Sequence, residues 1–324
     1  MKLSDYIPAL RFGAKIMPED IAGMIGLPSV GNIFYVDPTA GSDTANNGKS
    51  VDNAYATAAK ALSSMSADND DILVIAGTGS TGRTAESAVI DWNKRRTHII
   101  GNSPARRMTP RNGIGANYGG GSTTPVFKVS ANNCSFSNLT FASFADNDIL
   151  VEVTSDYNTF NNCHFQGIAH ATPASEAGAR SLLLTDAEEN EFNNCTIGID
   201  TVTRAAANAS LELTGSCPRN QFRGCLFPVY TSNAGAFWVK ADTGNAFERF
   251  LVFEDCLFTN ATLGSSTVMT VGFDLSTTGN GQVYFKNSRW YGATDLVNNV
   301  TDLINDSPVF DTNDQGLMGV HANS

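Results

Sequence analysis

The side chains that could do acid–base chemistry are four histidines and a set of carboxylates, and their spacing matches no catalytic motif. His98, His164, His170 and His321 lie in unrelated contexts, and no G-H-G, H-E-x-x-H or G-x-S-x-G pattern occurs. If His164 lies in a strand whose neighbouring Cys163 faces the core, its ring faces solvent. We therefore expect a surface role for His164, with a general base as the less favoured alternative.

Glycoside hydrolysis would require two carboxylates facing one cleft at about 5–9.5 Å, and the acidic residues are not spaced to supply them. Adjacent acids such as Glu188 and Glu189, or Glu254 and Asp255, would point to opposite faces of a strand or lie solvated in a turn. The outward positions of successive strands alternate in charge around an apolar gap, which is typical of a solvated or partner-covered face. These positions are Glu152, Leu183, Glu212, Lys240 and Gly272. No catalytic residue and no cofactor is predicted, and a site assembled from distant coils by long loops stays open.

Two features could bind a metal, and neither has the spacing that a metal site needs. The loop GSDTANNG at 41–48 lacks the ligand spacing and the bidentate glutamate of a calcium loop, so we predict a turn. Cys163, Cys195, Cys225 and Cys256 recur regularly, but zinc needs a tetrahedral cluster with ligands at about 2.0–2.3 Å. Thiols in a line do not form such a cluster, so no metal is predicted.

These cysteines belong to a six-residue repeat that begins with phenylalanine and usually has a small residue in fourth place. The repeat reads FSNLTF at 136–141, FNNCHF at 160–165, FNNCTI at 192–197, FRGCLF at 222–227, FEDCLF at 253–258 and FKNSRW at 285–290. The fourth residues lie 24, 32, 30, 31 and 32 positions apart, an almost constant period. We call them the structural stack: Leu139, Cys163, Cys195, Cys225, Cys256 and Ser288.

Each repeat follows a second apolar run, for example ILVEVT at 149–154 or SLELT at 210–214, across a turn rich in Asn, Asp and Gly. Short alternating strands, without a helix long enough for a β-α-β crossover, indicate a parallel β-solenoid. Successive coils of a solenoid lie about 4.8 Å apart, so equivalent residues stack directly. We therefore predict an all-β fold with Phe columns, small fourth residues where the coil is narrow, and Asn ladders at the bends.

Composition restricts the partners. The chain has 21 basic and 32 acidic side chains, a formal charge of −11, which argues against a phosphate-binding surface and hence against nucleic acid. No run approaches the roughly 18 apolar residues of a membrane helix. The N-terminus does not read as a signal peptide, so we expect synthesis in a reducing cytoplasm and free cysteine thiols. Short basic clusters at 93–98 and 105–111 are predicted to be solvated loops.

The segment IFYVDPTAGSDTANNGKSVDNAYATAAKAL precedes the repeats and predicts a strand at Ile33–Val36, a polar loop and a helix. Together with the repeats, it resembles right-handed parallel β-helix proteins of the pectate-lyase-like type found in tailed bacteriophage virions. In that group a YVDP…GSD…NG…S…A…T…A segment and its helix cap the N-terminal end of the solenoid. The resemblance covers roughly residues 32–295 and implies a right-handed single-stranded parallel β-helix and a homotrimer.

We divide the chain into three parts: an anchoring or oligomerisation arm at 1–31, the capped β-helix body at 32–295, and a C-terminal cap or tail at 296–324. The arm is predicted to contain two short helices, whose apolar stripes must bury against the solenoid's own end or against another subunit. The stripe residues are Leu3, Tyr6, Ile7, Leu10, Ile21, Met24 and Ile25.

These patterns and the resemblance together favour a noncatalytic structural protein located in the virion and made in the cytoplasm of a bacterial host. We expect a capsid decoration or head-fibre-like protein that binds the major capsid protein, or another virion protein, through its arm. Neither nucleic acid nor a membrane is expected as a partner. The alternative is a tailspike-type β-helix that binds or degrades glycans as a lyase or hydrolase. Exposed aromatics would favour glycan binding, and Tyr230, Trp238 and Trp290 are the candidates, with core packing as the other reading.

Overall fold

The computed structural model describes most of the region predicted to be the solenoid. It covers residues 31–298, apart from gaps at 77–81, 104–107, 109–111, 120–123, 144, 242–243, 262–265 and 276–280, and then 303–305, 309–310 and 318–319. The arm residues Leu3, Tyr6, Ile7, Leu10, Ile21, Met24 and Ile25 lie outside the described residues.

The chain winds through three parallel sheets, which we call A, B and C, and each full coil adds one strand to each sheet. Sheet A has ten strands, and sheets B and C have eight each. Because every neighbour in these sheets is parallel and comes from the adjacent coil, the fold is a right-handed parallel β-helix, as predicted.

The strands are numbered in chain order. Sheet A contains β1 Ile33–Val36, β2 Asp71–Ile75, β5 Thr97–Gly101, β8 Ser135–Ser137, β11 Thr159–Asn161, β14 Glu191–Asn193, β17 Gln221–Arg223, β20 Arg249–Glu254, β23 Gly281–Lys286 and β26 Leu303–Asn305. Sheet B contains β3 Arg83–Glu86, β6 Gly113–Ala116, β9 Thr140–Ala142, β12 His164–Gln166, β15 Thr196–Ile197, β18 Leu226–Val229, β21 Leu257–Asn260 and β24 Arg289–Tyr291. Sheet C contains β4 Ile90–Trp92, β7 Phe127–Val129, β10 Ile149–Val153, β13 Arg180–Thr185, β16 Ala209–Thr214, β19 Phe237–Ala241, β22 Met269–Leu275 and β25 Ala293–Val297.

The phenylalanine that opens each repeat forms a column through the core, as predicted. Phe160 pairs in register with Phe136 below and Phe192 above, and Phe192 pairs with Phe222. The stacked ring centroids lie 4.7, 4.8 and 4.6 Å apart along this column. These distances match the spacing between strands, so one period of sequence places each ring directly on its equivalent.

The third residue of each repeat turns the chain from sheet A into sheet B with a left-handed backbone. In six successive repeats this residue has φ between +46° and +62°, a region that favours Gly, Asn and Asp. The residues are Asn138, Asn162, Asn194, Gly224, Asp255 and Asn287. The left-handed backbone conformation therefore explains why Asn recurs at this position. Side-chain bonds follow between coils, as from Asn162 Nδ2 to Asn138 Oδ1 at 3.3 Å.

The fourth residue is buried, and in five of the six repeats it also donates a hydrogen bond, which small size alone does not predict. Cys195 Sγ lies 3.4 Å from the carbonyl oxygen of Phe160, and Cys225 Sγ lies 3.2 Å from that of Phe192. Ser288 Oγ makes the same bond to Phe253 at 3.1 Å, so serine can replace cysteine in this column. The cysteines are free and buried, as expected.

A second column of buried asparagines precedes the phenylalanines and was not singled out in the sequence. The backbone N–H of Asn158 donates to Asn190 Oδ1, and that of Asn190 donates to Asn220 Oδ1, both at 2.9 Å. The amide of Asn220 donates in turn to the carbonyls of Ala187 and Cys217 at 2.8 and 2.9 Å. These side chains satisfy backbone groups that the bend from sheet C to sheet A buries.

The N-terminal cap consists of β1, the polar loop and helix α1, Ala58–Ser64. Asp43, in the GSDTANNG loop, accepts bonds from the backbone N–H groups of Ala56 and Thr57 at 2.8 and 3.1 Å. The loop therefore contains a turn at 43–45, as predicted, and holds the start of the helix. Glu86 accepts from the N–H of Ala58 at 2.8 Å and fixes the helix to the first complete coil.

The basic cluster at 93–98 is an exposed loop at Arg95 and Arg96, as predicted, but it continues into β5 at Thr97 and its Lys94 binds the cap. Lys94 Nζ donates to the carbonyls of Leu62 and Met65 at 2.7 and 2.5 Å, at the C-terminal end of α1. Arg95 and Arg96 form ion pairs with Asp68 and Asp70. Most of the cluster at 105–111 lies outside the described residues.

The C-terminal segment adds one more strand to the solenoid and then forms a separate antiparallel pair. Leu303–Asn305 pairs with β23 as the last strand of sheet A, inside the region assigned to a cap or tail. Two further strands, β27 Val309–Phe310 and β28 Met318–Gly319, pair antiparallel.

A second short helix, α2 Ala171–Ala174, lies in the connection from sheet B to sheet C. Within the described residues no helix is long and apolar enough to cross a membrane.

We predict that Phe192→Ala lowers the free energy of unfolding by about 3–5 kcal/mol, because it leaves a cavity in the middle of the ring column. Tyr284→Ala is the matched control, since this aromatic lies on the outer face of the same sheet with 37% of its surface exposed. It should cost about 1 kcal/mol or less. Urea unfolding followed by circular dichroism measures both, and equal losses would contradict the column.

Candidate functional site

The outer faces of the sheets carry the polar side chains that could meet a ligand, and on sheet C these form a charged column. Glu152 pairs with Leu183, Leu183 with Glu212, and Glu212 with Lys240, as predicted. The next member is Asp274 and not Gly272. The prediction was wrong here because β22 extends to Leu275, which shifts the register by two residues.

Ion pairs join the coils along the sheet C column. Arg180 Nε lies 2.5 Å from Glu212 Oε2, and Lys240 Nζ lies 3.3 Å from Glu212 Oε1. Lys128 Nζ lies 3.7 Å from Glu152 Oε2. The half-buried carboxylates on this face therefore have cationic neighbours on adjacent coils, and the side chains hold coils together.

The acidic pairs of the sheet A side also bind cations. Glu188 and Glu189, predicted to point to opposite faces of a strand or to lie solvated in a turn, are half-buried outside the strands, and both bind Arg219, at 3.0 and 2.6 Å. Glu254 bridges to Arg223 at 3.4 Å and to Lys286 at 2.5 Å, and the Lys286 hydrogen bond is the main cause that lowers its pKa. Each of these contacts crosses from one coil to the next, as the repeat period requires.

His164 is buried, which corrects the predicted surface position. Only 2% of its surface is exposed, although its strand parity does turn it away from the core. Its Nε2 lies 3.1 Å from the carbonyl oxygen of Gly198, and its Nδ1 lies 3.2 Å from Gln166 Nε2. Burial is the main cause that lowers the pKa of His164 to about 4, so the ring is neutral near pH 7.

Arg204 is a fully buried cation in the connection that leads from sheet B to sheet C. Its Nη2 donates to Ser210 Oγ at 2.9 Å, and its carbonyl accepts from the N–H of Ser232 at the same distance. Burial, assisted by the positive charge of Arg180, lowers the pKa of Arg204 to about 9. Arg204 thus anchors this connection against the strands beneath it.

The aromatic candidates for glycan stacking divide between core and surface. Trp238 and Trp290 are buried, so they pack inside the solenoid. Tyr230 is partly exposed. The exposed aromatic side chains among the described residues are Tyr157, Tyr284 and Tyr291.

A polar contact between coils on sheet A was missed by the sequence reasoning. His98, Ser135 and Asp70 come from separate coils, and the pairing of His98 with Ser135 in register brings them together. No local motif could identify them, because the residues are 28 and 37 positions apart in the sequence. Alignment of the first two coils with the later repeat would have placed His98 beside Ser135. Among the described residues, no group of three or more His, Cys, Asp or Glu side chains could hold a metal ion.

Comparisons with known proteins identify the fold. No protein-family model matches the sequence, and no curated protein matches it. The crystal structure of pectate lyase Pel9A superposes with a TM-score of 0.57 and 14% identity over 86% of this chain and 68% of that one. This chain has the parallel β-helix fold of pectate lyase. At such low identity the likeness extends to the fold alone.

Two further structures give lower scores. The pectin methylesterase PemA from Erwinia chrysanthemi has a TM-score of 0.43 and 11% identity, over 86% of this chain and 93% of that one. ORF18 of Geobacillus virus E2 has a TM-score of 0.44 and 12% identity, over 93% of this chain and 65% of that one.

The buried His164 predicts a pH dependence of stability. Its pKa is about 4 in the fold against an ordinary 6.5, so the unfolded chain binds the extra proton between these values. Stability should therefore fall as the pH falls from 6.5 to 4, by on the order of 3 kcal/mol from this group. The free energy of unfolding is measured in urea at pH 6.5 and at pH 4. Between these two pH values the wild-type protein should lose more of it than His164→Gln does, by the amount given above. Equal losses would contradict a neutral, buried His164.

Proposed function

We propose that this chain is a structural protein of a bacteriophage particle, attached through its N-terminal arm at 1–31. In this proposal the β-helix is a stiff body that projects from the particle as a capsid decoration or head-fibre-like protein. Its partners are the major capsid protein, or another virion protein, and further copies of the chain in a homotrimer.

The observation that carries the structural role is the ion pairing between coils on the outer faces. Acid–base cleavage of a glycan needs one carboxyl group kept protonated and a second one free to act. On the outer faces Glu152, Glu188, Glu189, Glu212 and Glu254 instead lie within 4 Å of Lys or Arg on another coil. Exposed pairs of this kind are weak one by one, but here they follow a regular column. These contacts favour a structural role for the outer faces, in which the carboxylates stabilise the stacking of coils, over a catalytic role.

The link to a phage particle depends on the sequence resemblance of the capped solenoid. The segment from Ile33 to Ser64 supports the N-terminal cap of this resemblance, because its strand joins sheet A and its helix covers the first coils. The ten strands of sheet A make a body about 45 Å long at the ordinary strand spacing. A body of this length would keep its far end clear of the surface to which the arm is attached.

Glycan binding is the second candidate, and one exposed aromatic favours it. Tyr157 has 44% of its surface exposed and lies at the bend just before β11 of sheet A, near the outward Thr159 and Asn161. An exposed ring next to hydroxyl and amide groups can stack on a sugar and bind its hydroxyls. In this alternative the rod is a tailspike-type protein that holds a host glycan.

Immunogold electron microscopy tests the structural proposal. An antibody raised against residues 31–298 should label intact particles of the source phage, and label over the head would support a decoration or head fibre. Label at the tail would favour the glycan-binding alternative and require a glycan panel with Tyr157→Ala as the variant. Absence of label from all particles would contradict a place in the virion.

Deletion of residues 1–30 tests the arm separately. The shortened chain keeps Gly31, whose N–H donates to the carbonyl of Asp70 at 3.1 Å at the edge of sheet A. We expect it to retain β-rich circular dichroism and cooperative unfolding but to be absent from purified particles. Full incorporation of the shortened chain would contradict attachment through the arm.

A further inference from the structure

Three side chains on the N-terminal part of sheet A form a chain of contacts from a hydroxyl to a carboxylate. Ser135 Oγ lies 2.7 Å from His98 Nδ1. On the other side of the ring, His98 Nε2 lies 3.6 Å from Asp70 Oδ1. A hydroxyl, an imidazole and a carboxylate in this order are the groups of a serine nucleophile with its base and its orienting acid.

The surroundings of His98 fix where its proton lies. The ring is 3% exposed, and burial is the main cause that lowers its pKa, so it is neutral near pH 7. A carboxylate can only accept, and Asp70 is the group that faces Nε2, so the proton belongs on Nε2. Nδ1 is then an acceptor, and the Ser135 hydroxyl must donate to it. This is the arrangement in which a histidine can remove a serine proton.

Arg96 holds the carboxylate in its position. Its Nε donates to Asp70 Oδ1 at 3.2 Å, and its Nη2 donates to Asp70 Oδ2. The distance of 3.6 Å between Asp70 and His98 is longer than a hydrogen bond. A positive charge on the ring would shorten it, and such contacts often tighten only when the reaction begins. Asp70 and Arg96 are therefore positioning residues for His98.

Ser135 is accessible from outside the solenoid. Its side chain points outward from β8 and is partly exposed, while Phe136 beside it is buried in the core. The outward neighbours are small and polar, with Ser137 two positions along the strand and Thr159 in register on the next coil. Such a surface can bind a hydroxylated molecule with a short acyl group and offers no apolar wall for a long one.

We propose that Ser135 is a nucleophile toward short-chain esters of polyhydroxylated alcohols, such as an acetylated sugar. Ser135 Oγ attacks the ester carbonyl carbon while its proton passes to His98 Nδ1. The bond from that carbon to the alcohol oxygen then breaks, and His98 returns the proton to the departing alcohol. Water attacks the acyl-serine next, with His98 as base again, and releases the carboxylic acid and free Ser135. No oxidation or reduction takes place.

This activity goes beyond the proposed structural function and does not depend on it. A particle protein can present an ester-cleaving serine on its outer face, and a protein without a place in the virion can present it equally. Immunogold labelling and the arm deletion leave the reactivity of Ser135 unaffected. The two proposals therefore fail separately.

A fluorophosphonate probe tests the nucleophile directly in the full-length protein. The probe should attach to Ser135, identified by mass spectrometry of the digested chain, and the outward Ser137 on the same strand should remain unlabelled in the same sample. Absence of label at Ser135, or equal label at both serines, would overturn the proposal. This comparison needs no variant, so it does not depend on the folding of one.

Hydrolysis of p-nitrophenyl acetate tests the roles of the three residues. Ser135→Ala should reduce the protein-dependent rate to that of buffer, and His98→Gln should reduce it by roughly 100-fold or more. Ser175→Ala changes an exposed serine that follows α2, outside the surface around Ser135, and should leave the rate unchanged. Asp70→Asn should lower kcat more than it raises KM, because it changes the orientation of the base and not the binding of the ester. A rate unaffected by Ser135→Ala would overturn the proposal, even if the ester is hydrolysed.

Discussion

The spacing between parallel strands is the constraint on which the rest of this molecule depends. Each coil lies one strand spacing from the next, so a residue is always in contact with its equivalent one period away. A column then needs residues that are compatible with themselves. Phenylalanine rings stack on phenylalanine, and asparagine side chains accept hydrogen bonds from the backbone of the coil below. The stack residues other than Leu139 meet the same requirement differently, because each donates to the carbonyl of a phenylalanine from the coil below.

The same constraint shapes the outer faces. Equal charges at one position would repel along the whole column, and the chain alternates them instead. Glu254 lies between Arg223 and Lys286, and Glu212 lies beside Lys240 and Arg180. These carboxylates therefore hold adjacent coils together, which supports a structural body. The N-terminal part of sheet A differs, because it places a hydroxyl, an imidazole and a carboxylate side by side. A rod and a reactive surface group can coexist in one solenoid, since the core columns do not depend on what the outer positions carry.

The repeat made the fold predictable from the sequence, because identical residues at one period report the register directly. The phenylalanine column and the buried free cysteines followed from it. Gly272 was placed wrongly because the apolar run alone does not show where β22 ends. His164 was predicted to be exposed because alternation along a strand shows only which side chains face away from the core. It does not show whether another segment of the chain covers that outer face. The contact between His98 and Ser135 was missed because the first coils lack the FNNC signature that aligned the later ones.

Deletion of one complete coil measures most directly whether the coils are equivalent units. Removal of residues 192–221 joins Glu191 to Phe222, which places Phe222 where Phe192 was and keeps each column in register. The account predicts a β-rich protein that unfolds cooperatively in urea. Removal of residues 192–206 takes out only half a coil, so it should abolish folding by displacing the following strands into the wrong sheets. If the two deletions behave alike by circular dichroism and urea unfolding, the stacked-coil account is contradicted.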